Sequence, residues 1–116
     1  MALNKPINGK AEECRVKNPV VLADEWGRMM ASGKYRSKTE LGKAVGVSHT
    51  WVRKIIKLNR LCDVVREVLI AIGDEVPRGL LPVEKLEALT EHRPARQKTE
   101  IKILLAAHGI YPMRLR

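Results

Sequence analysis

The stretch Ser37–Leu58, SKTELGKAVGVSHTWVRKIIKL, decides how the chain reads, because it spells two short helices joined by a tight turn. Ser37-Lys38-Thr39-Glu40 is a capping box, in which the Ser37 hydroxyl accepts from the Glu40 amide and the Glu40 carboxylate reaches back to the Ser37 amide. A helix therefore starts at Ser37. Leu41 and Val45, with the small Gly42, form its apolar face, and Gly46 supplies the left-handed backbone on which the chain stops and turns. Val47 fills the corner. Ser48 is the N-cap of a second helix, whose apolar positions Val52, Ile55 and Ile56, with Leu58 behind them, keep helical spacing while Arg53, Lys54 and Lys57 point elsewhere. Apolar residues at fixed offsets, glycine in the turn and a small residue where the second helix crosses the first are what a helix-turn-helix needs. Gly42 is the one departure, since alanine is usual there; glycine is expected to weaken the first helix by about 1 kcal/mol.

Charge points to the kind of partner. The net formal charge is +9, and the segment from Lys34 to Arg60 alone holds eight cations against the single acid Glu40. Residues 61 to 91, by contrast, are net acidic. A cationic run in a tail reads as a solvated face, but here the cations flank a groove-entering motif, which favours a polyanion.

The rest of the chain supports that motif. Residues 1–17 are polar and lack periodicity, so a mostly flexible lead is expected, a short ordered end being left open, with Lys5 and Lys10 within reach of a DNA backbone and a solvated tail as the plainer alternative. Asn18-Pro19 starts a bracing helix, Asn18 as N-cap and Pro19 in the first turn, with Leu22, Trp26, Met29 and Met30 as its apolar stripe and an end near Gly33. Helical spacing accounts for Trp26 and the methionines as core. Leu61, Val64, Val65, Val68, Leu69 and Ile72 predict a fourth helix stopped by Gly73, and Asp74–Gly79 reads as a loop. Pro82 opens a further helix with Val83, Leu86 and Leu89 inward, its exposed acidic face making it a buttress rather than a phosphate contact. A last helix runs from Pro94 or Ala95 to His108; whether its Arg93, Arg96, Lys98 and Lys102 form a second phosphate-contacting patch is left open by the sequence. The domain is thus expected over residues 18–109, with a tail at 110–116 and no internal repeat.

At 116 residues, with no Phe and few alternating runs, the chain predicts one all-α domain, a compact bundle of about six helices with an aliphatic core. Cys14 and Cys62 match no metal-ligand spacing and read as reduced thiols of a cytoplasmic protein. No apolar signal region and no stretch approaching 18 apolar residues occurs, so neither secretion nor a membrane partner is expected. His49, His92 and His108 share no metal-binding spacing with the cysteines, and no hydrolase order of Ser, His and Asp or glycine-rich phosphate loop stands out. No enzyme, cofactor or metal is expected.

These residues resemble the central DNA-binding domain of the ParB and KorB partition-protein family. The likeness runs from Asn18-Pro19 through Thr39–Ser48 to Trp51-Val52, then Leu58, Arg60-Leu61 and Val65–Leu69, and on through Gly79–Pro82 to Leu89. The resemblance implies duplex DNA binding in partition or transcriptional regulation, a nucleoid-associated location, a homodimer on a palindromic site, and a partition ATPase or other protein as further partner. That family's nucleotide-binding module with its arginine-rich motif is not recognisable, so no CTP site is carried over. The Ala71–Gly79 linker is longer than the family's usual spacing.

The sequence thus leads to a double-stranded DNA-binding domain that inserts the helix from Ser48 to about Asn59 into the major groove. Ser48, His49, Thr50, Arg53 and Lys54 are the candidates for base edges, Arg53 first because its fork matches guanine O6 and N7. For His49, a base edge, a phosphate and plain solvent stay open. Lys34, Arg36, Ser37, Lys38, Lys43 and Lys57, with the amides opening the first motif helix, are the expected phosphate contacts. Trp51 is expected to pack against the bracing helix. The alternative is a protein-interaction bundle whose cationic face docks an acidic partner protein.

Overall fold

A side-chain amide with no exposed surface starts the architecture. Asn18 Oδ1 accepts from the Val20 amide at 2.9 Å and so caps the first helix, as its place before Pro19 predicts. Its Nδ2 donates to the carbonyls of Leu69 at 2.8 Å and Gly73 at 2.9 Å, and its own amide donates to the Asp74 carbonyl at 2.8 Å. One residue therefore opens one helix and closes another.

In the computed structural model, which describes residues 14–115, the chain runs β1 (Arg15–Lys17), α1 (Pro19–Ala31), α2 (Lys38–Val45), α3 (His49–Lys57), α4 (Asp63–Ala71), β2 (Glu75–Pro77), α5 (Val83–Leu89) and α6 (Pro94–Ala106). Single 3-10 turns follow at Leu58–Arg60 and Met113–Leu115. The result is a mostly helical bundle, in which α1 packs on α2, α3 and α4, α3 on α5, and α4 on α6.

The core is aliphatic, as the composition predicts. Val20, Ala23 and Trp26 of α1 meet Leu41, Val52, Ile55 and Leu58 of the motif, Val65 and Leu69 of α4, Leu86 of α5, and Ile101 and Leu105 of α6. Full burial of each large aliphatic side chain contributes roughly 1.5 to 3 kcal/mol. Gln97, 3% exposed, ties α6 to the start of α4: its Oε1 accepts from the Cys62 amide at 2.7 Å and its Nε2 donates to the His92 carbonyl at 2.9 Å.

Both chain ends of the described region are more ordered than their polarity suggests. Residues Arg15–Lys17, expected in a flexible lead, form an antiparallel pair with Glu75–Pro77, expected in a loop, with Val16 opposite Val76. Val76 is buried in the core, and this anchors the pair. Two three-residue strands are too short to show period-2 alternation, which is why sequence pattern misses them. Lys5 and Lys10 lie outside the described residues. In the tail, Leu115 is buried, Ile110 packs on the core and Arg114 pairs with Glu67, so residues 110–115 belong to the domain. Helix α5 starts at Val83, with Pro82 one place earlier than expected, at the N-cap.

Asn18→Ala should lower stability by about 3 kcal/mol, since it removes a cap, leaves the Gly73 carbonyl without a donor and leaves the Leu69 carbonyl only the Ile72 amide at 3.3 Å. Asn18→Asp keeps the acceptor but sets an oxygen against those carbonyls, so it should be at least as damaging. Urea denaturation checks both; near-native stability for Asn18→Asp, as at an ordinary N-cap, would contradict the double role.

Candidate nucleic-acid interface

The two motif helices are capped where the sequence places their starts. Ser37 Oγ accepts from the Glu40 amide at 3.1 Å, and Ser48 Oγ accepts from the Trp51 amide at 3.2 Å. The Glu40 carboxylate reaches back one residue further than the capping box predicts, to the Arg36 amide at 3.1 Å. This leaves the Ser37 and Ser48 hydroxyls at exposed helix starts with a proton each to donate.

The turn between the helices closes on Gly42. Its carbonyl accepts from the amides of both Gly46, at 2.8 Å, and Val47, at 2.9 Å, while Gly46 takes the left-handed φ of 82°. A Cβ at residue 42 would stand 2.7 Å from the Val47 carbonyl oxygen and 3.4 Å from the His49 nitrogen. Glycine is therefore a fitting requirement of this turn, rather than only a weak helix former. Val45, expected on the apolar face, is 36% exposed: the close approach lies at Leu41 and Gly42, both buried, and leaves the last turn of α2 outside.

With Val52 and Ile55 fully buried, the opposite face of α3 is turned outward. Thr50, Arg53, Lys54, Lys57 and Arg60 line one open groove of about 450 Å³, with Lys38 of α2 and Glu87 of α5 also on its walls. His49 and Lys43 are exposed but do not line it. Lys34 sits over the Tyr35 ring at 5.7 Å, and Arg36 is exposed beside it. Trp51 is half-buried against the core.

The cations divide into two sets. Among the described residues, Lys34, Arg36, Lys38, Lys43, Arg53 and Arg60 have no carboxylate within 4.0 Å. Lys54, expected at a base edge, lies 3.7 Å from Glu84, and Lys57, expected on phosphate, lies 2.8 Å from Glu91 and 4.0 Å from Glu87. The Lys57 ammonium, hydrogen-bonded to Glu91, holds that carboxyl below the ordinary glutamate range, with Arg60 and His92 adding to the effect. A depressed carboxyl stays ionised at neutral pH, so this pair persists there and is lost only as pH falls through the lowered value.

Three groove residues lie outside the expected set, the first being Ile56, an apolar position of α3 that is half-buried at the groove. Arg60 stands in the 3-10 turn that prolongs α3, and its spacing of three from Lys57 and seven from Arg53 was a legible helical stripe. Glu87 comes from another helix, which no local pattern links to α3. On α6, Lys98 and Lys102 border a shallow depression with Arg114, while Arg96 pairs with Glu100 at 3.9 Å. Among the described residues no group of His, Cys, Asp and Glu is placed to hold a metal, and no helix is long and apolar enough to cross a membrane.

The fold and this face define a mostly α-helical domain that presents a helix-turn-helix with a cationic outer stripe. Set against protein-family models, curated proteins and solved structures, the chain matches none.

Gly42→Ala sets two opposed effects against each other. Alanine favours an isolated helix by about 1 kcal/mol, but its methyl cannot stand 2.7 Å from a backbone oxygen without moving the turn. The clash should win, giving a net loss of about 1 to 3 kcal/mol by thermal or urea unfolding. A stabilised variant would show the turn to be more open than described.

Proposed function

We propose that the domain binds double-stranded DNA, with α3 entering the major groove and Arg53 reading a base edge. The observation that carries this is the outward stripe of Thr50, Arg53 and Arg60, faced by Lys38 across one groove, on a helix whose other side is buried. A helix with side chains is about 10 to 12 Å across, which suits a major groove about 12 Å wide. Ser48, His49 and Thr50 stand at the exposed start of the helix, the end that reads bases in helix-turn-helix docking. Lys34, Arg36, Lys38, Lys43 and Arg60 flank it as phosphate contacts, together with the Ser37 hydroxyl and the first amides of α2.

The likeness to the ParB and KorB DNA-binding domain supports partition or transcriptional regulation as the use of that binding. A homodimer on a palindromic site, a partition ATPase as protein partner and a nucleoid-associated location go with that proposal. A bundle docking an acidic protein through the same cations is distinguished by titration with duplex DNA.

With Arg53 on a base, five carboxylate-free cations remain for phosphate, so the log–log salt dependence of duplex binding should have a slope near −4.5. Binding indifferent to salt between low and physiological ionic strength would refute the proposal. Arg53→Ala should cost about 1 to 3 kcal/mol on a site selected from a random library and much less on random DNA, whereas Lys38→Ala should weaken both nearly equally and shrink the slope by about one. Selection of the same motif by Arg53→Ala, with an unchanged specific-to-random ratio, would remove Arg53 as a reader.

A further inference from the structure

The acidic side of α5 faces the recognition helix, and its carboxylates are in register with two of the lysines there. Glu84, Glu87 and Glu91 recur at spacings of three and four along α5 and the turn after it, and they meet Lys54 and Lys57, one helical turn apart on α3. Helix α3 packs directly on α5, with Val52, Ile55 and Leu86 buried in the shared core, so the two charged rows are held side by side.

Resting on the duplex-binding proposal, we propose that Glu84, Glu87 and Glu91 form an acidic rail that competes with DNA phosphate for Lys54 and Lys57. It confines the backbone to the α2 side of α3 and lowers sequence-independent affinity.

Magnitudes decide how such a rail acts. Exposed ion pairs of this kind each contribute at most about 1 kcal/mol, so the rail does not lock the lysines in the free protein. Its effect appears when a phosphate approaches. A phosphate reaching Lys57 must displace Glu91 from 2.8 Å and enter the field of Glu87, which lines the same groove. The approach then exchanges one anion for another rather than adding a contact. The α2 side has no such competitor: among the described residues Lys34, Arg36, Lys38 and Lys43 have no carboxylate within 4.0 Å, and the Glu40 carboxylate accepts from the Arg36 amide. DNA phosphates carry no sequence information, so the penalty falls on every duplex and sets a ceiling on nonspecific binding.

The test is a titration of random-sequence duplex against salt, using the full chain. The rail variant Glu84→Gln, Glu87→Gln, Glu91→Gln is compared with Asp63→Asn, Asp74→Asn, Glu75→Gln, which gains the same charge at exposed positions that pair with no cation among the described residues. Freeing two lysines should steepen the slope by about two and tighten binding about tenfold near physiological salt, while the control variant keeps the native slope. A second arm removes the lysines instead. Lys54→Gln with Lys57→Gln should leave the native slope unchanged, because those lysines already face carboxylates, whereas Lys38→Gln should shrink it by about one. Equal behaviour of the rail and control variants, or a slope reduced by about two in the double lysine variant, would overturn the rail while leaving duplex binding in place. Absence of salt-dependent duplex binding by the native chain would instead overturn the functional proposal, and the rail with it.

Discussion

A backbone oxygen occupies the place where the side chain of residue 42 would otherwise be. The Val47 carbonyl approaches α2 so closely at Gly42 that only a hydrogen fits between them, and the Gly42 carbonyl in return takes two amides of the turn. That approach fixes how the chain leaves α2 and where α3 begins. Once α3 is so directed, Val52 and Ile55 face the core and the row from Thr50 to Arg60 faces outward. A larger side chain at residue 42 would push the turn away and with it the start of α3.

A second level of support comes from polar groups buried at helix ends. Asn18 joins the start of α1 to the end of α4, Gln97 joins α6 to the start of α4, and Asn59 donates to the Ala23 carbonyl of α1 at 2.9 Å, beside Gly27. Asn18 and Gln97 satisfy backbone groups that a helix end leaves open, so their burial costs little and orientation is gained, whereas Asn59 makes its one bond to α1 and leaves its buried Oδ1 without a partner. α1 is thereby held by both α4 and the 3-10 turn that follows α3. Its apolar stripe then serves as the floor on which α3 lies.

Legibility in the sequence follows the range of the interaction. The caps made by Ser37, Ser48 and Asn18 and the turn at Gly46 act within four residues, and they are found where local chemistry places them; the bonds of Asn18 to Leu69 and Gly73 carry no local signal. The apolar stripes of α3 and α4 are likewise periodic and locally readable, whereas on α1 the core face is Val20, Ala23 and Trp26, and the expected Leu22, Met29 and Met30 are only half-buried at its border. Three further features were not legible. The pairing of Val16 with Val76 joins segments sixty residues apart and too short for a pattern. The exposure of Val45 depends on which side of a two-turn helix is crossed. The neutralisation of Lys54 and Lys57 depends on carboxylates thirty residues downstream, so a count of cations in the motif overstates what is available to phosphate. For Gly42, the sequence revealed the unusual residue but not its reason, because the clashing atom belongs to the backbone.

The central claim is that the outer face of α3, flanked by α2, receives duplex DNA. Titrating isotope-labelled protein with a short duplex and following each backbone amide by NMR tests it directly. The account predicts that the largest shifts and broadening fall between Lys34 and Arg60, greatest at His49, Thr50 and Arg53, with α4 and the β1–β2 pair unmoved. Perturbations centred on α6 and the tail, or none at duplex concentrations that saturate ordinary nonspecific binding, would contradict it.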